Sequence, residues 1–438
     1  ATLHNETTSG QGVTTYSNGN SDFEIFSNDT RNRIYAAEAT LFGDVEAFGQ
    51  KHTLFFGADY YRSTSKGFSG YAGFIPFSVY RPDYDALGSA ELFRDLRNYS
   101  INPNDPRNNA LLAGSYSEIT GGRSLSEEYG FTGQLILRPT DAWTLIGGAR
   151  WSHSAGGRNG VYCYAEEDCT LTILDMPLPK VNPSDQSAWT FQLGTTYAVT
   201  PEVNLYASYG ETYTPRFNSF QFDPSDPIGT PIGPEQGEAY EIGAKGVHRG
   251  GKLSWSVALF DIARTNISQA DPSRPQFQVL LGKQRSRGVE FDAQGTIVEG
   301  WEFYGSFAAM DNKFVEGEFK GYPAFFGPKL GASVYSNYEF LRGDLAGFGF
   351  GGGVVYKKLP TFRSFFGDVQ GKPLPGLNPG SIVEVDASAS FKLDRWKFSV
   401  QVTNLFNTKY YTPSYPSPFY AINVNPGRQA IARIGYSF

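Results

Sequence analysis

Apolar and polar side chains alternate with a period of two in segment after segment of the chain, most cleanly toward its C-terminus. From Trp396 the segment WKFSVQVT sets Trp396, Phe398, Val400 and Val402 on one face and Lys397, Ser399, Gln401 and Thr403 on the other. A helix would space its apolar positions three and four apart, so this is a β-strand with one oily side. Just before it, Val383, Val385, Ala387, Ala389 and Phe391 alternate with Glu384, Asp386, Ser388, Ser390 and Lys392, and Asp394 and Arg395 are left for a turn. The two runs predict a tight hairpin. The same pattern sets Trp189, Phe191, Leu193, Tyr197 and Val199 against Thr190, Gln192 and Thr196. After Thr200 and Pro201 it continues through Val203, Leu205, Ala207 and Tyr209. In the closing run, Ala430, Ala432, Ile434, Tyr436 and Phe438 share a face.

Alternation alone fits a soluble sandwich as well as a membrane barrel; the lengths of the connections separate them. Short turns are expected near Gly49, Pro139, Thr200, Gly250, Glu299, Gly343 and Asp394. Each is followed, one strand later, by a long irregular stretch, at 65–121, 153–184, 215–236, 266–284, 314–327, 359–380 and 407–425. An up-and-down barrel crossing a membrane gives this asymmetry, with short turns on the periplasmic rim and long loops outside. Aromatic residues gather where interfacial girdles would need them, in ADYYRS (58–63), SYGETY (208–213) and TKYYTPSY (408–415). The fold class expected is all-β, an antiparallel up-and-down transmembrane β-barrel. Strand-like segments begin near Arg33 and number about fifteen, or about sixteen if 12–26 adds one. About sixteen suits a porin and about 22 a plugged transporter.

Composition agrees with one continuous architecture over residues 1–438: nothing reads as a linker, Gly (50), Tyr (27) and Phe (35) abound, and Cys (2), Met (2) and His (4) are scarce. Apolar runs such as TLIGGA (144–149) fall far short of the roughly 20 residues of a membrane-spanning helix. A mean hydropathy of -0.35 still suits a barrel, whose strands show lipid only every second side chain. The net charge of -7 argues against a nucleic-acid partner. Ala1 opens the chain without a Met or a leader, so any signal peptide would already have been removed. Cys163 and Cys169, close together in YCYAEEDC, read as a small loop disulfide formed in an oxidising compartment.

Little points to catalysis. GxSxG and HExxH are absent, and His4, His52, His153 and His248 are dispersed. GFGFGG (347–352) formally fits a dinucleotide motif, but VVYKK follows with no helix start, so strand glycines are the better reading. DPSDP (223–227) and NPNDPRNN (102–109) carry oxygen ligands without calcium-loop spacing. No enzyme, resident metal or cofactor is expected.

Several segments in register resemble the C-terminal part of TonB-dependent outer-membrane receptors of the ferric siderophore type. They are GQKHTLFFGADYYRS (49–63), VNLYASYGETYTPR (203–216), GPEQGEAYEIGAKG (233–246), ALFDIARTNI (258–267), GKQRSRGVEFDAQG (282–295), VTNLFNTKYY (402–411) and ARIGYSF (432–438). The resemblance implies a receptor that binds an iron siderophore outside and passes it to the periplasm with TonB-derived energy, iron entering only as part of the cargo. It also implies that this chain is part of a barrel of about 22 strands, lacking the N-terminal plug, the TonB box that contacts the TonB complex, and the first strands. The terminal strand (Ala430, Ala432, Ile434, Tyr436, Phe438) resembles the targeting strand of outer-membrane proteins, which implies the outer membrane and its lipid, and the barrel assembly machinery as a partner. A passive porin and a barrel for adhesion or phage attachment remain the alternatives. A cargo pocket should combine ring faces with cations near the extracellular strand ends. The candidates are Tyr80, Arg81, Tyr84, Trp151, Tyr213, Arg216, Phe217, Phe419 and Tyr420. Arg264, Lys283, Arg285 and Arg287 are expected in the lumen or nearby loops as solvated charges.

Overall fold

The computed structural model describes residues 2–15, 20–78, 116–164, 185–216, 220–224, 226–271, 274–317, 319–323, 327–361, 378–415 and 421–438. Its strands are β1 (Thr2–Thr15), β2 (Asn20–Ala47), β3 (Gln50–Ser78), β4 (Tyr116–Thr140), β5 (Trp143–Tyr164), β6 (Gln186–Thr200), β7 (Val203–Thr214), β8 (Phe220–Asp223), β9 (Asp226–Pro231) and β10 (Glu235–His248). They continue as β11 (Leu253–Asp271), β12 (Arg274–Val298), β13 (Trp301–Phe314), β14 (Leu330–Glu339), β15 (Phe348–Lys358), β16 (Ser381–Leu393), β17 (Trp396–Thr403), β18 (Tyr411–Tyr415), β19 (Ala421–Val424) and β20 (Gln429–Tyr436). Sixteen of these make one antiparallel sheet in chain order, β7 pairing with β10 and β17 with β20. The β8–β9 and β18–β19 hairpins are side branches on the long-loop side.

The turns on the other side are as tight as the sequence predicts. Phe48 and Gly49, with φ of 54° and 73°, join β2 to β3, and positive φ at both central residues is what a two-residue hairpin of the right twist requires. Asp394 and Arg395 join β16 to β17, between the paired Leu393 and Trp396. His52 ties two of these turns together. Its Nδ1 accepts the Arg138 N–H at 3.1 Å, so the ring proton sits on Nε2 and faces the Ala47 carbonyl at 3.1 Å.

Two adjacent rows across the sheet show how its faces differ. One runs Trp143, Tyr197, Leu205, Ala244, Val257, Phe291, Phe307, Ala332. The next runs Ala198, Asn204, Lys245, Ser256, Asp292, Ser306, Ser333. The apolar row is the uncovered one, and Leu193, Leu205, Ile242, Leu259 and Val334 on that face are all about half exposed or more. So large an apolar surface is stable only against another apolar medium, which for an up-and-down sheet is lipid. The β20 residues Ala430, Ala432, Ile434 and Tyr436 pair with Val402, Val400, Phe398 and Trp396 and extend the same face.

Parts of the stretches expected to be irregular are strand. β3 runs on to Ser78, β4 starts at Tyr116, β5 continues to Tyr164, and β11 and β12 extend through 266–271 and 274–284. About 9–11 residues cross a membrane, so these long hairpins rise beyond it. There no lipid imposes a period of two, and sequences such as Ser63-Thr64-Ser65-Lys66-Gly67 show no apolar alternation. GFGFGG lies largely within β15 with β14 and β16 on either side, as strand glycines should. The most buried apolar residues, Leu281 and Phe314, form a small core with Ile267 and Phe319 that holds the β13–β14 connection. Gly282 and Gly317 cross there with φ of 101° and 90°, too close for a Cβ on either.

Candidate functional site: a charged cluster at the extracellular end of the polar face

The site grows from the upper ends of β6, β7, β10 and β11. Gln186 opens β6, and its side-chain amide accepts the N–H of Arg216 at 3.0 Å and donates to the Arg216 carbonyl at 3.1 Å. This fixes the backbone just beyond β7. Glu235 opens β10 and is buried, at 7% exposure. A carboxylate withdrawn from water is costly unless cations meet it, and two do. Arg216 Nη2 donates to Oε2 at 2.5 Å, while Arg264 from β11 brings Nε to Oε1 at 2.6 Å and its Nη2 to the same oxygen. Asn266 anchors the approach to β10 through the Pro234 carbonyl, 2.9 Å away.

Two guanidiniums around one carboxylate leave a net positive charge. The Nε–H of Arg216 has no acceptor, and the Arg264 side chain is about half exposed. The arrangement can hold an anion by charge and by forked hydrogen bonds, while Glu235 keeps the two cations together. Lower on the same face, Arg150 makes a two-pronged pair with Asp59 at 2.6 and 3.0 Å, and Tyr206 donates to Glu241 at 2.6 Å. These polar contacts brace the wall. Groups of three or more His, Cys, Asp or Glu able to hold a metal ion are absent among the described residues.

Of the residues singled out in the sequence, Arg216 is in this cluster and Tyr213 lines a neighbouring cleft between β6 and β7. Trp151 stands elsewhere. It pairs with Trp189 and stacks on Phe131 at 6.1 Å, both well exposed on the apolar face, so it belongs to the aromatic belt and not to the polar interior. The alternation of β5 puts it there, opposite in parity to Arg150. Tyr80, Arg81, Tyr84, Phe217, Phe419 and Tyr420 lie outside the described residues. So does Cys169, and with it the disulfide; of Cys163 only the strand placement is described. Arg264 takes the interior face as expected. Lys283, Arg285 and Arg287 do not: they share parity with Val289 and Phe291 in β12 and face outward. Glu235 and Gln186 were not singled out. Glu235 lies in GPEQGEAYEIGAKG, but 19 and 29 residues separate it from Arg216 and Arg264, so only the strand register brings the three together.

An exposed apolar face, a polar inner face and short turns on one rim define a transmembrane β-barrel. Residues 2–405 match the family described as "TonB dependent receptor-like, beta-barrel", and the chain belongs to that family. Its members are outer-membrane receptors of Gram-negative bacteria, not enzymes. The chain is similar to the metal-pseudopaline receptor CntO of Pseudomonas aeruginosa, 31% identical over 52% of this chain and 31% of that protein. It is also similar to the probable TonB-dependent receptor BfrD of Bordetella pertussis, 29% identical over 68% of this chain and 39% of that one. The ferripyoverdine receptor of Pseudomonas aeruginosa, solved bound to ferripyoverdine, shares the fold with a TM-score of 0.71 and 17% identity, covering 100% of this chain and 53% of that one. The chain thus spans about half the length of that receptor and less of the curated relatives.

Proposed function

We propose that this barrel is the wall and outer pocket of a receptor that binds a ferric siderophore at the cell surface and imports it to the periplasm with TonB-derived energy. The observation that carries the reading is the Arg216–Glu235–Arg264 cluster, a net-positive group at the extracellular end of the inner face in a barrel of this family. An iron complex with deprotonated chelating groups often carries negative charge, and forked guanidinium donors suit its oxygens. The relatives named for metal-pseudopaline and ferripyoverdine support cargo of that class. Tyr80, Arg81, Tyr84, Phe217, Phe419 and Tyr420 are proposed to supply ring faces and a further cation from the loops. Iron enters as cargo alone. The proposed partners are the TonB complex, outer-membrane lipid and, through the terminal strand, the barrel assembly machinery.

The test is growth under iron limitation. A strain without its own siderophore receptors, carrying the full-length protein, is fed ferripyoverdine, ferrichrome and other ferric siderophores one at a time. Growth on at least one, abolished by deleting TonB, is the expected result. Growth on none, or growth indifferent to TonB, contradicts the proposal.

A further inference from the structure

On the polar inner face, close to the short turns, β13 to β17 enclose a hollow of about 310 Å³. Two rows of the ladder build it. The lower runs Glu302, Asn337, Gly351, Ser388, Gln401, and the upper runs Tyr304, Tyr335, Gly353, Asp386. These residues alternate with Phe303, Val334, Phe350, Val385 and Val400 on the lipid side, so they face the interior. Glu302 is the second residue of β13 and Asn337 the third from the end of β14, which sets the hollow just inside the periplasmic rim. β15 gives only backbone to both rows. A Cβ on Gly351 would stand 2.9 Å from Asn337 Oδ1 and 3.0 Å from Ser388 Oγ, and one on Gly353 would collide with the Tyr335 ring. The walls on either side therefore lean over a bare floor.

The lining carries two carboxylates and neither Lys nor Arg. Among the described residues the Glu302 carboxylate has no hydrogen-bond or ion-pair partner. Asp386 gives one oxygen to the Asn404 N–H at 2.9 Å, which leaves the other to a ligand. Lower on the same face Lys392 is already paired with Glu339 at 2.7 Å. Three strand spacings set the Glu302 and Asp386 backbones about 14 Å apart across the sheet. The rings of Tyr304 and Tyr335, direct cross-strand partners 41% and 37% exposed, flank that span.

We propose that this hollow is a binding site for a linear aliphatic polyamine. An ammonium at one end meets Glu302 and one at the other meets Asp386, each as a charge-assisted hydrogen bond. The methylenes between them cross the bare β15 backbone beside the tyrosine rings, whose faces attract the cationic ends. Asn337, Ser388 and Gln401 bring further acceptors for the remaining N–H groups. A metal ion draws its oxygen ligands to within about 2.6 Å, and carboxylates on strands so far apart do not share one. An amine with a single charge reaches one carboxylate alone. The site is opposite in charge to the arginine cluster at the other end of the inner face, and it does not rest on the siderophore reading.

The full-length protein carrying Ser388→Cys, in outer-membrane vesicles, is treated with N-ethylmaleimide, an uncharged reagent, and labelling at that residue is followed by peptide mass spectrometry. Millimolar spermidine should slow labelling at least about fivefold relative to sodium chloride of equal ionic strength, and propylamine less than about twofold. Glu302→Gln, and Asp386→Asn with its acceptor for Asn404 kept, should each remove most of the protection when added to Ser388→Cys. Tyr335→Phe should retain it, and heat-modified gel mobility checks that every variant is folded. Labelling that spermidine does not slow, that propylamine slows as much, or that stays protected in folded Glu302→Gln and Asp386→Asn overturns the proposal. So does a Ser388→Cys thiol that the reagent cannot reach. Growth on ferric siderophores is not read in this experiment, so either proposal can fail alone.

Discussion

Arg216 and Glu235 meet at 2.5 Å across the start of the β7–β10 ladder, one just past the end of its strand and the other the first residue of its own. Arg264 completes the pair from the next strand, 29 residues along the chain. If this cluster holds anionic cargo, Arg216→Ala and Arg264→Ala should each weaken binding of an accepted ferric siderophore by roughly 10- to 100-fold. Trp151→Ala, on the opposite face, should leave it unchanged. Tryptophan-quenching titrations on purified variants give both numbers.

The direction of the faces makes a second prediction. Val334, 58% exposed, and Ser333 are neighbours in β14 that point to opposite sides. Val334→Arg should cost about 2–4 kcal/mol if it lies near the midplane, and Ser333→Arg, toward the polar interior, far less. Urea titration of folding into lipid vesicles separates the two, and equal penalties would mean the faces are misassigned.

His52 makes a third. Its ring bridges the Ala47 carbonyl and the Arg138 N–H in a buried setting. His52→Ala leaves the Arg138 N–H without that acceptor, and a loss of about 1–3 kcal/mol is expected. It should appear as a lower temperature for the heat-induced mobility shift, without a change in cargo affinity.

The crossing of Gly282 and Gly317 makes a fourth. Gly282→Ala would put a methyl group against the Glu316 carbonyl at a positive φ. The small core of Leu281 and Phe314 should loosen and the β13–β14 connection should be cut faster by protease. An unchanged cleavage rate would show that the backbone there can yield.

The sequence was most legible where one face meets lipid. The alternation through Trp396–Val402 and the turn at Asp394 and Arg395 could be read directly, and β20 adds its apolar residues to the expected face. Legibility failed above the membrane, where no lipid imposes a period on the upper parts of β3, β4, β5, β11 and β12. Charge alone points Lys283, Arg285 and Arg287 to the lumen or nearby loops, whereas the period through Val289 and Phe291 sets them on the outward face. Chemistry misled where parity would have served. The cluster itself was half legible: Arg216 stood out beside aromatics at a strand end, but Glu235 gains its meaning only from the register that brings Arg264 across to it.

The central claim is energised import through this barrel, and uptake of a radioiron-labelled siderophore by whole cells tests it most directly. Uptake should saturate with cargo concentration, stop without TonB, and fall sharply in the Arg216→Ala, Arg264→Ala double variant at equal surface expression. Uptake that is linear in concentration and the same with or without TonB would contradict the account and leave a passive channel.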